Sequence, residues 1–128
     1  MTSNHIDSKA DTIDYDYEND SLFLFKKGVA YCQSISLDDV IIDFAEEGFI
    51  KGVEIQNASE KFNVSKYDLL LKNLHKIKIE LFVSTEKITL NINLALKQRN
   101  KNIIRPITAA DINDYNLPAG TLALSCEN

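Results

Sequence analysis

The sequence predicts an α+β fold, a mostly antiparallel β-sheet built as a meander of hairpins with one main helix and a short C-terminal helical turn. Two observations predict the sheet: apolar and polar residues alternate along several stretches, and turn residues separate these stretches. Residues 65–75 instead repeat their leucines at helical spacing and predict the main helix. A chain of 128 residues suits one domain and can bury about two-thirds of its unfolded surface.

The patterning divides the chain into a tail and one domain. Residues 1–12 are polar and predict a disordered N-terminal tail, while residues 13–128 predict a single domain. Within that domain we expect a β core over residues 13–64, followed by a helix and β-hairpin extension over residues 65–128. No internal repeat indicates a second domain.

The β core is predicted to begin with a hairpin. Along residues 13–18, acidic side chains alternate with isoleucine and tyrosine, which is typical of a half-buried strand. The pair Asn19-Asp20 is a turn signal that leads into a second strand at residues 21–25. Two further strands are predicted near residues 29–37 and 40–44.

The turn that follows predicts a register for its two strands. The sequence Glu46-Glu47-Gly48 fits a three-residue hairpin loop in which Gly48 takes the left-handed conformation. That register places Asp43 opposite Lys51 as a cross-strand ion pair, and Phe44 opposite Ile50.

The same register places a carboxylate inside an apolar face. Glu54 falls opposite Val40, and Ile42 on that face falls opposite Gly52. A carboxylate at such a position must be paired, hydrogen-bonded or neutralised. We expect Glu54 to accept backbone N–H bonds from the bend at residues 57–59. The functional alternative is that it faces a small pocket left open by Gly52.

The second half is predicted to contain the helix and a long hairpin. Ser65 is a plausible N-cap for the helix over residues 65–75. Residues 77–83 and 88–96 alternate strictly and form an amphipathic hairpin whose apolar face holds nine residues. Three shorter elements complete the prediction: a strand over 102–105 that Pro106 ends, a helical turn over 108–111, and a final strand over 121–126.

Charge and composition place the chain among ordinary globular proteins. The net charge is −5, with thirteen acids and five bases in residues 1–64, and six acids and nine bases in residues 65–128. No apolar run approaches the roughly 18 residues needed to span a bilayer, and the polar N-terminus has no secretory signal. We therefore expect no membrane segment, a cytoplasmic location, and reduced thiols at Cys32 and Cys126.

The segment from Tyr15 to Ser59 carries a family resemblance, and its most specific run is Gly-x-x-x-Gly-Val-Glu-Ile-x-x-Ala-Ser, which begins at Gly48. With the positions before it, this run resembles the YuzE-type family of small uncharacterised proteins (domain of unknown function 2283) over about residues 13–60. The other matching positions are Tyr15, Asp16, Glu18, Asp20, Leu22, Phe23, Val29, Ala30, Ile41, Ile42, Asp43 and Ile50.

The resemblance implies a small β-sheet domain with a helix, and it brings no established activity. The family pattern tends to have tyrosine where this chain has Phe23, so a hydroxyl is lost there. Members of the family are sometimes grouped with the antitoxins of toxin–antitoxin pairs.

Residue chemistry indicates binding more than catalysis. The sequence holds no nucleophile–base pair, phosphate loop or close set of zinc ligands, so we predict no catalytic residue, no metal and no cofactor. The candidate binding or functional patch consists of Asp16, Asp43 and Glu54, while Gly48 and Gly52 serve the turns.

We therefore predict a small non-enzymatic binding or regulatory protein, an antitoxin-like partner of a basic protein. The alternative is a carboxylate-dependent enzyme or a divalent-metal-assisted hydrolase that uses Asp16, Asp43 and Glu54. A weak nucleic-acid-binding module ranks third, because the lysines of the second half are offset by the acidic charge of the whole chain. We also expect a homodimer, since only one helix is predicted to cover the apolar face of the hairpin over residues 77–96.

Overall fold

Ten β-strands and three short helical segments make up residues 4–128, the part of the chain that the computed structural model describes. The strands are β1 (Asn4–Lys9), β2 (Thr12–Asp16), β3 (Ser21–Phe25), β4 (Tyr31–Leu37), β5 (Val40–Ala45), β6 (Ile50–Ile55), β7 (Leu74–Val83), β8 (Lys87–Gln98), β9 (Lys101–Ile112) and β10 (Gly120–Glu127). The helical segments are α1 (Ala58–Phe62) and two 3₁₀ turns, Tyr67–Leu69 and Leu71–Asn73.

The strands form two five-stranded sheets that pack face to face. The first sheet has the order β2-β3-β6-β5-β4, and the second has the order β1-β10-β7-β8-β9. All neighbouring strands are antiparallel except β1 and β10, which are parallel. The predicted α+β fold with one main helix is therefore wrong, because the molecule is a β-sandwich whose α-helix spans only five residues.

One hydrophobic core lies between the two sheets. The predicted hairpin of β7 and β8 is confirmed, and the alternating residues of β8 are fully buried: Ile88, Leu90, Ile92, Leu94 and Leu96. The inner face of the first sheet, including Ile42 and Ile55, covers this apolar surface. The dimer was predicted because only one helix was expected to cover this apolar face. That reason does not hold, since the first sheet covers the face within one copy of the chain.

The predicted main helix over residues 65–75 does not form. The chain makes its two 3₁₀ turns on either side of Leu70, whose φ of −58° and ψ of 141° are extended. The segment is shorter than the ~12–15 residues that sustain a helix without tertiary support. Leu69 instead reaches the sandwich core from this irregular connection, and Leu74 reaches it as the first residue of β7.

The predicted C-terminal helical turn over residues 108–111 is also wrong, because these residues belong to β9. Pro106 lies in the middle of β9, opposite Asn93, and does not end the strand. A proline is tolerated in an edge strand when its nitrogen faces the open edge, since no ladder hydrogen bond is lost.

Most of the predicted N-terminal tail is a strand. Residues 4–9 form β1, which pairs with β10, whereas residues 1–3 of that tail lie outside the described residues. The Ser8 hydroxyl lies 2.9 Å from the carbonyl oxygen of Ile50 in the first sheet and 3.3 Å from that of Ala123 in the second. Strand β1 therefore contacts both sheets at one side of the sandwich.

The β5–β6 hairpin confirms the predicted turn. Gly48 has a φ of 94°, in the left-handed region, and Phe44 lies opposite Ile50 as expected. A β-bulge follows, so Asp43 lies opposite Gly52 instead of Lys51, and the predicted ion pair is wrong.

The bulge reverses the faces of the rest of β6, because one extra residue shifts the two-residue alternation of a strand. Glu54 lies opposite Ile41 and faces away from the core, whereas the prediction placed it inside the core opposite Val40. Val53 takes the inward position opposite Ile42.

Within residues 4–128, no helix has the length and apolar character that crossing a membrane requires. Cys32 is exposed, Cys126 is buried, and both are free thiols. Burial raises the pKa of the Cys126 thiol.

Candidate functional site

Strand alternation brings the three predicted carboxylates to one surface. Asp16 on β2, Asp43 on β5 and Glu54 on β6 all lie on the outer face of the first sheet, away from the core. This surface, called here the acidic face, consists of Asp14, Asp16, Phe23, Phe25, Ile41, Asp43 and Glu54.

Three half-buried apolar side chains lie among these carboxylates. Phe23 and Ile41 flank Glu54 from the two neighbouring strands. Phe25 packs over Gly52, where a Cβ would lie 3.1 Å from the Phe25 Cβ and 3.2 Å from the Leu24 carbonyl oxygen. The absence of a side chain at Gly52 therefore allows this close approach, and the face combines negative charge with apolar area.

The carboxylates of Asp43 and Glu54 hold only neutral partners. The Ser34 hydroxyl donates to Asp43 at 2.5 Å, and the Tyr31 hydroxyl lies 2.7 Å from that of Ser34. The Gln56 side-chain amide donates to Glu54 at 3.2 Å. Glu54 does not accept hydrogen bonds from the bend at residues 57–59, so that prediction is wrong.

Asp16 closes a local turn. Its carboxylate accepts hydrogen bonds from the Asn19 side chain at 2.8 Å and the Asn19 N–H at 3.2 Å, and these bonds lower the pKa of Asp16. Among residues 4–128, no lysine or arginine nitrogen lies within 4.0 Å of a carboxylate of the acidic face. In the same part of the chain, no three His, Cys, Asp or Glu side chains come together in a group that could hold a metal ion.

A second arrangement, which the sequence prediction missed, joins the first sheet to α1. Asp20, in the turn between β2 and β3, has a left-handed φ of 54° and is buried. Its carboxylate accepts hydrogen bonds from the Tyr15 hydroxyl at 2.6 Å, the Ser59 hydroxyl at 2.6 Å and the Ser59 N–H at 3.0 Å. The Ala58 N–H donates to the Asp20 carbonyl oxygen at 2.9 Å. Asp20 thus has the role at this junction that the sequence prediction gave to Glu54.

The hydrogen bonds decide the charge of this cluster. Burial alone would raise the pKa of Asp20, but the bonds from Ser59 and Tyr15 outweigh it and hold the pKa below its ordinary value of 3.8. Burial and the bond to Asp20 raise the pKa of Tyr15. An ionised carboxylate at the N-terminus of a helix is favourable, so the arrangement stabilises the start of α1.

Asp20 and Ser59 are 39 residues apart, which is why local patterns do not indicate their contact. The one sequence signal that could have paired them is the family resemblance, in which both positions take part.

Charge divides between the two halves of the sandwich. Residues 12–55, which form the first sheet, contain ten acidic and three basic residues, whereas residues 65–128 contain six acidic and nine basic residues. The ion pairs of Lys61 with Asp38 at 2.9 Å and Asp39 at 3.7 Å lie at one end of the first sheet, outside the acidic face.

Comparison with known proteins gives relatives over most of the chain. An uncharacterized protein of Methanocaldococcus jannaschii is 46% identical over 112 residues, which cover 88% of this chain and 96% of that protein. A Methanosarcina mazei protein named "Putative hypoxanthine phosphoribosyltransferase" is 37% identical over 115 residues, 88% of this chain and 92% of that protein. No solved structure matches the chain.

The family comparison agrees with the resemblance noted in the sequence. A family model described as "Protein of unknown function (DUF2283)" matches residues 12–59, which include the first sheet and the Asp20–Ser59 junction. Together with the relatives that span nearly the whole chain, this match shows that the protein belongs to the DUF2283 family.

Proposed function

We propose that this protein is a cytoplasmic, non-enzymatic binding protein whose acidic face docks a basic protein partner, as an antitoxin-like module would. The observation that carries the proposal is the composition of that face. Four carboxylates, none within 4.0 Å of a cation of residues 4–128, surround three half-buried apolar side chains. Such a surface suits a partner that brings lysine or arginine together with apolar groups.

The two kinds of side chain have different roles in this proposal. An exposed ion pair contributes only about 0–1 kcal/mol, so the carboxylates alone give little affinity. They speed association and reject acidic competitors, while burial of Phe23, Phe25 and Ile41 supplies the favourable free energy.

The enzymatic alternatives find less support. A hydrolase that used Asp16, Asp43 and Glu54 with a metal ion would need ligands that converge, and no such group occurs within residues 4–128. The name of the Methanosarcina mazei relative refers to phosphoribosyl transfer, and phosphates are commonly held at helix N-termini. In this chain α1 has only five residues, and the Asp20 carboxylate already accepts a hydrogen bond from the Ser59 N–H in its first turn. We therefore do not extend that activity to this protein.

The proposal is tested with the double variant Asp14→Asn/Glu54→Gln, which removes two exposed or half-exposed charges from the acidic face. Tagged protein is used to capture partners from an extract of the native host, and these are identified by mass spectrometry. We expect the wild type to retain a basic protein in a salt-sensitive manner, and the variant to lose it at an unchanged melting temperature.

The matched control is Glu86→Gln/Asp111→Asn, which removes two exposed carboxylates from the second sheet and its turns. It is expected to retain the partner as the wild type does. If the control and the acidic-face variant lose the partner equally, the acidic face is not the binding surface.

We also propose a homodimer, on a different basis from the one that the sequence suggested. Strand β9 is an edge strand, and Ile104 and Ile112 on its outer face are 66% and 63% exposed. Its open edge can pair with the same strand of a second copy, a common route by which sheets associate.

A further inference from the structure

A polar cleft lies outside the acidic face, between the connection from α1 to β7 and the turn that joins β8 to β9. It has a volume of about 670 Å³. We call it the turn cleft, and the residues that matter to its chemistry are Asn63, Tyr67, Asn73, Lys97, Arg99 and Asn100. A volume between about 300 and 1,000 Å³ is typical of sites for small-molecule ligands.

The walls of the turn cleft are held in place by hydrogen bonds. Asp68 is buried, and its carboxylate accepts a bond from the Gln98 side chain at 2.9 Å and from the Ser65 N–H at 3.1 Å. These bonds connect the irregular segment to the end of β8 and fix the two walls of the cleft relative to each other. They also leave the Asp68 carboxylate engaged with the protein.

The tight turn presents its cation from a fixed backbone. Arg99 and Asn100 have φ values of 50° and 63°, the left-handed pair that a two-residue hairpin turn requires. Within residues 4–128, neither Arg99 nor Lys97 has a carboxylate oxygen within 4.0 Å. Both side chains are exposed, and the charge of Arg99 also helps to lower the pKa of the Asp68 carboxylate in the same cleft.

The remaining groups of the turn cleft suit the rest of a polar ligand. Asn63 and Asn100 offer exposed amides, which can both donate to and accept from hydroxyls and ring edges. The Tyr67 ring, which lines the cleft, is 56% exposed and can stack on a ring of the ligand.

We propose that the turn cleft binds a small phosphorylated compound of the size of a sugar phosphate or a mononucleotide. The phosphate contacts Arg99 and Lys97, since a guanidinium group matches the geometry of phosphate oxygens and an ammonium group adds charge. The amides contact the sugar or base. This site is independent of the acidic face, so either proposal can fail without the other.

The test measures the melting temperature and, by calorimetry, the heat of binding. The probes are AMP and ribose 5-phosphate, and adenosine, which is AMP without its phosphate, is the control ligand. The variant Arg99→Asn removes the cation and keeps a residue that tolerates the left-handed turn. Lys87→Gln is the control, since it removes an exposed cation at the start of β8, the end of that strand opposite the Arg99 turn.

We expect at least one of the two phosphorylated probes to raise the melting temperature of the wild type and of Lys87→Gln, and adenosine to have no effect. Arg99→Asn should weaken binding about tenfold or more, the effect of losing one charged hydrogen bond. Three results would overturn the proposal: no shift with either phosphorylated probe at 10 mM (on the order of ten times a weak millimolar Kd), equal binding by both variants, or an equal shift with adenosine. Tight binding of a single-stranded oligonucleotide with steep salt dependence, without binding of the small probes, would also overturn it in favour of a nucleic-acid site.

Discussion

Asp20 is the residue on which the contact between the first sheet and α1 depends. It is buried, adopts a left-handed backbone and accepts hydrogen bonds from two residues that lie in different elements. Loss of one partner of a buried, charged hydrogen bond leaves donors without an acceptor, which costs more than the bond itself contributes.

We expect Asp20→Asn to lower the free energy of unfolding by about 2 kcal/mol, because asparagine tolerates the left-handed backbone but presents an amide to donors that need an acceptor. Urea unfolding followed by circular dichroism measures this change. Asp16→Asn is the control, since Asp16 bonds only within its own turn, and it should cost less than about 0.5 kcal/mol. Equal losses in both variants would contradict the bracing role of Asp20.

Gly48 tests the backbone of the β5–β6 turn. Its φ is 94°, and a Cβ built there meets nothing within 4 Å, so any penalty comes from the backbone and not from crowding. We expect Gly48→Ala to lower the free energy of unfolding by about 1 kcal/mol, and Gly48→Asn to cost less, because asparagine is tolerated better in the left-handed region. Thermal unfolding of the two variants should rank them in that order. A melting temperature unchanged in Gly48→Ala would show that the turn does not need a left-handed residue.

At the scale of elements, what the sequence predicts depends on how local the cause is. The β7–β8 hairpin was predicted because apolar and polar residues alternate strictly along both strands, so the apolar positions indicate which residues face the core. The bulge in β6 shifts the apolar alternation, since Val53 and Ile55 are out of phase with Ile50. The predicted register continued the phase of Ile50 and therefore assigned the face of Glu54 wrongly. Residues 65–75 have the leucine spacing of a helix, but the chain there forms two 3₁₀ turns around the extended Leu70. The packing of the two sheets, which a short window of sequence does not show, determines this conformation.

Partner choice between strands is equally hidden in the sequence. Pro106 indicated the end of a strand, yet it is compatible with β9 because that strand lies at the edge of its sheet. The edge position depends on which strand pairs with which, and such long-range pairing is not encoded in a short window. Three of the four carboxylates of the acidic face, Asp16, Asp43 and Glu54, were named together from the sequence, although their common face was not foreseen. Their role as a functional patch stays a prediction.

Strand β9 supplies the test of the proposed dimer. Alternate residues of a strand direct their backbone nitrogens to the same side. The nitrogen of Pro106 faces the open edge, so the N–H of Ala110 faces that edge too. Ala110→Pro should therefore leave the β8–β9 ladder intact and remove an N–H that a second copy would need. Sedimentation velocity at tens of micromolar, roughly the range in which a weak dimer forms, should show a dimer for the wild type and a monomer for Ala110→Pro.

Two controls frame that experiment. Ala109→Pro removes an N–H that faces β8, so it should lower the melting temperature, whereas Ala110→Pro should not. A wild type that sediments as a strict monomer would contradict the dimer itself. A dimer that persists in Ala110→Pro would show that its interface lies elsewhere.

At the scale of the whole molecule, the stability should depend on pH at both extremes. The pKa of Asp20 lies below its ordinary value of 3.8, so its contribution is present above that pH and is lost as the pH falls through the lower, folded value. The pKa of Asp68 is also lowered, because the bonds from Gln98 and Ser65 outweigh the effect of burial. The pKa of Tyr15 lies above its ordinary value of 10.0, so its contribution is lost as the pH rises beyond that value.

We therefore expect the melting temperature to be nearly constant at intermediate pH and to fall below about pH 4 and above about pH 10. Asp20→Asn should reduce the dependence at both ends, since Asp20 titrates at the acid end and raises the pKa of Tyr15 at the alkaline end. Melting curves recorded across this range for both proteins provide the measurement. Curves that differ by a constant offset would mean that the Tyr15–Asp20 pair does not set the pH dependence.

The parallel pairing of β1 with β10 has a consequence for the order in which the chain folds. Ser8 and Ala123 are 115 residues apart, whereas the strands β2 to β6 connect through short turns. During synthesis the first sheet can therefore form early, but β1, made before it, has no partner until β10 emerges. Strand β1 therefore stays unpaired until β10 is made, and its pairing with β10 then closes the longest loop of the chain. We therefore expect the completion of the second sheet to be the slow step of folding.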